Sequence, residues 1–247
     1  MPDVDMSQYE HLAKFDTTLV ENMSILSAMD NYYQWISSVL RRYAGKRVLD
    51  IGCANGNLTQ FFLDKEKIMG VDYSKDYLKQ IKKRFKGRKK FASAFFDATD
   101  EKQARKLKKN RFDTIVTMNT FEHIKDDVKA MRNAYTILDK GGRFIMFVPA
   151  GMWLYSILDY EGGHYRRYTK QELANKLRSA GFVIEDISYM NVPGALGWYV
   201  NFVLFKKRIY SPMTFKLYNA LVPLFRTIES IIHPPFGLSV VAVGRKK

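Results

Sequence analysis

Val48-Leu-Asp-Ile-Gly-Cys-Ala-Asn-Gly-Asn-Leu-Thr59 runs from a short β-rich stretch into residues of helical period, 56–63, through a turn that holds Gly52 and Gly56. A Gly-rich turn between a strand and a helix marks a ligand site at the carboxyl edge of a parallel sheet. A dinucleotide loop needs G-x-G-x-x-G, so that a pyrophosphate can approach the backbone. Ala54 and Asn57 stand at its second and third positions, which disfavours NAD. No Gly-Lys-Ser/Thr follows, so a phosphate-cradling P-loop is absent as well.

Outward from this turn, strand-like runs at 47–51, 68–71, 90–94, 112–118 and 143–148 alternate with helical periods at 76–85, 98–108 and 126–138. Such alternation implies right-handed βαβ units. Thr169 and Glu172 form a capping box, Gly181 stops the helix they start, and runs at 182–189 and 238–244 supply two more strands. The fold class predicted is α/β: a doubly wound, Rossmann-like, seven-stranded and mostly parallel sheet with helices on both faces. An N-terminal helical cap, 1–44 with its helix over 18–42, precedes a main domain, 45–247. That domain carries a lid insertion at 149–168 and a long helical insertion at 191–236, between the last two strands. The second insertion holds an apolar-faced helix at 212–232, kinked at Pro223.

Composition narrows the class of protein. Among 247 residues, 47% are hydrophobic and 26% charged, which rules out wholesale disorder. Cys53 is the single cysteine, and the four histidines make no metal-binding spacing, so no disulfide and no metal site are expected. Residues 1–14 lack the basic and apolar regions of a signal peptide, and the longest apolar approach, 194–205, is too short to span a bilayer. A cytoplasmic chain is therefore expected. Its outlier is charge: 40 Lys and Arg against 25 Asp and Glu give +15, which suits an anionic partner. Residues 79–90 carry eight bases and no acid, but Leu78, Ile81 and Phe85 have helical spacing, so this run reads mainly as a wet helix face.

Asp50, Gly52, Ala54 and Gly56 form the pattern acidic-x-Gly-x-(Gly/Ala)-x-Gly. Here the chain resembles the class I S-adenosylmethionine (SAM) methyltransferases, over roughly 45–181 with the last two strands behind. The resemblance implies SAM as cofactor and S-adenosylhomocysteine as product, with the loop against the methionine half and Asp50 toward its amino and carboxylate end. It further implies Asp72, in Gly-Val-Asp72-Tyr73-Ser74, as the partner of the ribose hydroxyls, and Asp97 with Ala98 at the adenine edge. Tyr73 and Asn119 complete the cofactor residues so implied.

Thr117-Met-Asn119-Thr-Phe-Glu122-His123-Ile124 resembles the segment after strand four in methyltransferases of small molecules, ubiquinone-type O-methyltransferases among them. A hydroxyl acceptor needs a base, and His123, beside Glu122, is the expected one. The run Tyr155 to Thr169 has the content of a lid: Tyr155, His164, Arg166, Arg167 and Tyr168 can meet a polar or anionic acceptor. Its Gly-His-Tyr-Arg-Arg-Tyr-Thr segment resembles a bacterial subgroup linked with glycan and lipid-linked sugar pathways. The expected function is methylation of a hydroxyl on a small-molecule or glycan-type acceptor, lipid-linked in one version, at the inner membrane face or in the cytoplasm. Two other readings compete: an RNA methyltransferase, ranked lower because no RNA-binding module or Asn/Asp-Pro-Pro-Tyr/Phe motif is present, and a non-catalytic adaptor at a membrane or protein surface. Aminopropyl transfer fits poorly, because a polyamine acceptor wants an acidic cleft.

Overall fold

A computed structural model of the chain describes residues 24–232 and 234–247. Helix α1 (Asp30–Arg41) leads into β1 (Arg47–Ile51), β2 (Lys67–Asp72), α2 (Lys75–Arg84), β3 (Phe91–Phe95), α3 (Glu101–Lys108), β4 (Phe112–Met118) and α4 (Asp127–Ile137). The chain continues through β5 (Leu138–Pro149), α5 (Ile157–Glu161), α6 (Lys170–Ser179), β6 (Val183–Met190), α7 (Val192–Trp198), α8 (Pro212–Ile231) and β7 (Ser239–Arg245). Strand order is β3-β2-β1-β4-β5-β7-β6, with β7 antiparallel to both neighbours. This is the predicted seven-stranded sheet. The order reverses between β1 and β4, and that switch point is where a parallel sheet opens a crevice at its carboxyl edge.

Side chains at strand ends start the helices. Ser74, Asp100 and Asp126 each accept a backbone N–H as N-cap, and Thr169 with Glu172 closes the predicted capping box. Strands β1, β4, β5 and β7 are apolar on both faces because helices cover both. One core layer joins Leu49, Ile115, Phe144 and Met146 to α4 and α6; the other joins Val48, Val116, Ile145 and Phe147 to Trp35 and Ile36 of α1 and Val222 of α8. The N-terminal helix and the late insertion thus share a face. Asn31 Nδ2 donates to the Asn219 carbonyl at 2.9 Å, and Tyr32 N to Asn219 Oδ1 at 3.1 Å.

Two expectations change. The helix expected over 56–63 is one 3-10 turn, Thr59–Phe62, whose N-cap position is Leu58, a residue with no side-chain oxygen to cap it. The helix expected over 18–42 breaks at Met29, which is buried at φ −89° and ψ 67°; residues 24–27 form a separate turn, and 18–23 lie outside the described residues. The basic run behaves as its spacing predicts: Leu78, Ile81 and Phe85 of the α2 region pack together with Cys53, while the lysines face water.

Candidate active site

The turn after β1 is left-handed. Gly52, Ala54 and Gly56 sit at φ 75°, 42° and 88°. Gly52 N and Cys53 N both donate to the Val71 carbonyl, at 2.9 and 3.1 Å, which pins the turn to β2. A Cβ on Gly52 would fall inside the Thr120 side chain, and one on Gly56 would press on the Phe85 ring. Glycine is required at both for space as well as for φ. Ala54 has no such exemption, and its left-handed backbone costs about 1–2 kcal/mol. Ala54→Gly should therefore raise stability by about 0.5–1 kcal/mol, the relieved strain exceeding the about 0.4–1 kcal/mol of extra freedom in the unfolded chain. Urea denaturation checks this; a loss of stability would mean that the methyl group packs.

Three acids were expected around this turn, and they take different places. Asp72, buried at the end of β2, faces the cavity while Oδ2 accepts from Ala54 N at 3.0 Å and Oδ1 from Ser74 N at 2.8 Å. Burial pushes its carboxyl up, against the pull of these amides. Asp50 lies behind the turn. Thr59 Oγ1 donates to it at 2.6 Å, and burial, with Asp72 adding like charge, pushes its carboxyl up to about 7. Asp97 closes a local turn by accepting from Thr99 N and Oγ1, both at 2.8 Å, and it does not line the cavity.

The cavity, about 500 Å³, lies over the switch point. One half is walled by Gly52, Ala54, Asp72, Tyr73, Phe96 and Ala98, with Asn119 and Tyr77 beside them. No Lys or Arg lines this half among the described residues. A buried carboxylate at a strand end, set among aromatic rings and without cations, suits a nucleoside that carries no phosphate. In the other half, His123, Asp159, His164 and Arg167 meet an apolar wall from the late insertion, including Trp198, Phe202 and Phe215.

The polar cluster in that second half is built by the lid. Asp159 Oδ2 accepts from Ser156 N at 2.8 Å, which fixes the start of α5. Arg167 grips Asp159 with Nε to Oδ1 at 2.9 Å and Nη2 to Oδ2 at 3.0 Å, and its guanidinium lies 4.9 Å from the Trp198 ring centre. His164 Nδ1 meets Asp159 Oδ1 at 2.8 Å, and its ring stands edge-on to that of His123, with centroids 4.5 Å apart. Burial alone would raise the Asp159 carboxyl; His164 and Arg167 hold it below the usual range, so it stays an anion. An Nδ1–H donated to that anion leaves Nε2 of His164 as the basic nitrogen.

Glu122 is fully buried beside the two imidazoles, and neither of its oxygens meets a hydrogen-bond partner among the described residues. Ligand atoms of Glu122, His123 and His164 all lie within 4.8 Å of one another, a grouping that spacing in the sequence does not reveal. Burial pushes the Glu122 carboxyl up to about 7. The folded state therefore holds this proton more tightly than the unfolded chain, and stability falls as pH rises from the ordinary carboxyl value through about 7. Glu122→Gln removes the titration. Between pH 5 and pH 8 the variant should gain about 2–3 kcal/mol relative to wild type, whatever its constant offset. Equal pH slopes in denaturation would show that Glu122 carries no raised carboxyl.

Other lid residues point elsewhere. Arg166 pairs with Asp127 at 2.8 Å and donates to the Lys125 carbonyl at 2.8 Å. The Tyr168 hydroxyl, wholly buried, donates to Asp127 Oδ2 at 2.8 Å, and the Tyr155 hydroxyl donates to the His164 carbonyl at 2.8 Å. None of the three lines the cavity; they tie the lid to α4 and to itself. Sequence patterning does not single out Asp159, Tyr77 or Asn191, yet all three line it. Asp159 follows Ser156 by three residues, a spacing that reads only as a helix start, and it does serve as one.

A doubly wound sheet with this strand order, a left-handed Gly turn after β1 and an acid at the end of β2 defines a class I SAM-dependent methyltransferase. A family model described as "Methyltransferase domain" matches residues 28–187, and the chain belongs to that family. It is similar to a ubiquinone biosynthesis O-methyltransferase of Xanthomonas euvesicatoria pv. vesicatoria, 26% identical over 161 residues, which cover 60% of this chain and 66% of that relative. The match thus spans just under two thirds of the relative's length. Among solved structures, a SAM-dependent methyltransferase from Mesorhizobium loti superimposes with a TM-score of 0.58 at 15% identity, covering 89% of this chain and 100% of that one. A SAM-dependent methyltransferase from Archaeoglobus fulgidus gives 0.57 at 18% identity, covering 87% and 94%.

Proposed function

We propose that this chain transfers the methyl group of SAM to a hydroxyl of a small-molecule or glycan-type acceptor, lipid-linked or otherwise partly apolar. The observation that carries the reading is the junction within one cavity of a cation-free nucleoside half with the His164–Asp159 pair. Gly52, Ala54, Asp72, Tyr73, Ala98 and Asn119 would hold the cofactor, with Asp50, Gly56 and Asp97 shaping the backbone from behind. When bound, SAM supplies an electrophilic methyl group. The chain aligns the acceptor oxygen and takes its proton.

His164 is the base in this proposal, in place of His123. Asp159 fixes its tautomer and stabilises the imidazolium formed, and Arg167 keeps Asp159 ionised. His123 stands edge-on to His164, and Glu122 lies buried beside both imidazoles. Tyr155, Arg166 and Tyr168 act by fixing the lid. The O-methyltransferase name of the Xanthomonas relative supports a hydroxyl acceptor. Apolar residues such as Leu158, Phe202 and Tyr210 along the second half support an acceptor with an apolar portion beside its hydroxyl. We place the enzyme on the cytoplasmic side, in solution or at the inner membrane face. Incubation with methyl-labelled SAM and a panel of phenolic, sugar and lipid-linked sugar hydroxyls, with RNA beside them, tests the proposal. Label in an ether on one acceptor class, with S-adenosylhomocysteine released in equal amount, is expected; label in RNA alone would point to the RNA-methylating alternative.

A further inference from the structure

The insertion between β6 and β7 covers the acceptor half of the cavity with one face and turns a second apolar face outward. On α8, Tyr218 and Phe225 pack inward in the cluster of buried Val222, and Phe215 packs inward against Tyr210 and Phe202. Met213, Leu217, Leu221, Leu224, Ile228 and Ile231 follow one another by three or four residues and stand exposed, from 39% at Leu221 to 83% at Met213. They form one stripe along the helix. α7 and the π turn after it, Tyr199–Leu204, add Leu196, Val200 and Leu204, and Phe205 and Ile209 follow in the link to α8. Residues 196–232 hold thirteen of the nineteen exposed large hydrophobic side chains among the described residues. A contiguous apolar surface of this kind calls for a partner.

Charge selects the partner. Residues 194–236 carry five Lys and Arg and one acid, Glu229, whose two oxygens accept from Asn191 N and Val192 N at 2.8 and 2.7 Å. Lys206 and Lys216 are exposed, one in the link and one beside the α8 stripe. A second copy seated here would set cation against cation, with no carboxylate in the segment left to neutralise them. Lipid phosphates would neutralise them. Trp153, half exposed, meets Tyr199 and Phe236 with ring centroids 5.9 and 6.1 Å apart, a cluster suited to the headgroup level. No helix among the described residues is long and apolar enough to cross a membrane, so the surface would lie on one. Ile209 and Lys207, in this face, also line the cavity, so the docked face leads into the acceptor half.

We propose that residues 196–232 dock the protein on an anionic bilayer, with the α8 stripe in the headgroup plane and Lys206 and Lys216 on lipid phosphates. This docking stands independently of the proposed reaction. Flotation of the full chain with phosphatidylcholine vesicles, with and without phosphatidylglycerol, tests it. Binding is expected only with phosphatidylglycerol and should weaken as salt rises. Lys206→Glu with Lys216→Glu should weaken it at least about tenfold, and Leu217→Ser with Leu224→Ser should abolish it, each variant keeping wild-type circular dichroism. Absence of flotation at low salt, or equal flotation of wild type and the lysine pair variant, would overturn the proposal. So would a dimer in sedimentation that the leucine pair variant disperses, since that result assigns the face to a second copy.

Discussion

His164→Ala is expected to slow methyl transfer by about 10² to 10⁴-fold while leaving SAM affinity within about twofold. The loss follows from removing an imidazole whose Nδ1 is held by an ionised carboxylate, Asp159, at 2.8 Å. The substitution should not unsettle the lid, because Arg167 still neutralises Asp159 through two buried bonds at 2.9 and 3.0 Å. Rapid-quench transfer of labelled methyl, with calorimetry for SAM on the same sample, separates chemistry from binding. A slowing below about fivefold would return the proton to His123 or to water. His123→Ala, which removes the edge-on neighbour of His164, should cost less than His164→Ala.

Gly52→Val is expected to eliminate measurable SAM binding. At φ 75° a β-branched residue is strained by itself, and its Cβ would collide with Thr120, whose Oγ1 donates to the Met118 carbonyl at 3.1 Å. The turn must shift, and with it Ala54 N, which anchors Asp72 at 3.0 Å. One substitution thus disturbs both the loop and the acid expected on the ribose. Normal binding by a folded Gly52→Val protein would remove the turn from the site.

The fold was legible because its signals are local and repeat. The first four strands end in Gly52, Asp72, Asp97 and Asn119, residue types that serve either a turn or a ligand, and the sheet sets them along its edge in the order Asp97, Asp72, Gly52, Asn119. Which of the two purposes each serves was not legible. Asp72 and Asp97 look alike in sequence, yet Asp72 faces the cavity and Asp97 folds back onto Thr99. Arg166 and Arg167 are neighbours in the irregular end of the lid, yet their side chains part. One goes to Asp127 on α4 and the other to Asp159 in the cavity wall, a choice fixed by where the lid crosses the sheet. The base was read at His123 because it follows β4. His164 is preferred here only once α5 brings Asp159 behind it, a contact between segments that periodicity does not encode.

The late insertion shows the same limit. Its helix over 212–231 is plain from the spacing of Phe215, Tyr218, Leu221, Phe225 and Ile228, but only Phe215, Tyr218 and Phe225 of these pack inward; Leu221 and Ile228 belong to a second stripe left outside. Helical period reveals that a helix has an apolar side; it does not say how many partners that helix has.

Titration calorimetry of the wild-type chain with SAM and with S-adenosylhomocysteine decides whether the cavity over the switch point takes the cofactor. One saturable site is expected for both ligands, with affinity reduced by about 1.5–3 kcal/mol in Asp72→Ala, the range for hydrogen bonds lost to a charged group. Absence of heat and of any thermal stabilisation with either ligand, in protein shown to be folded, would contradict it.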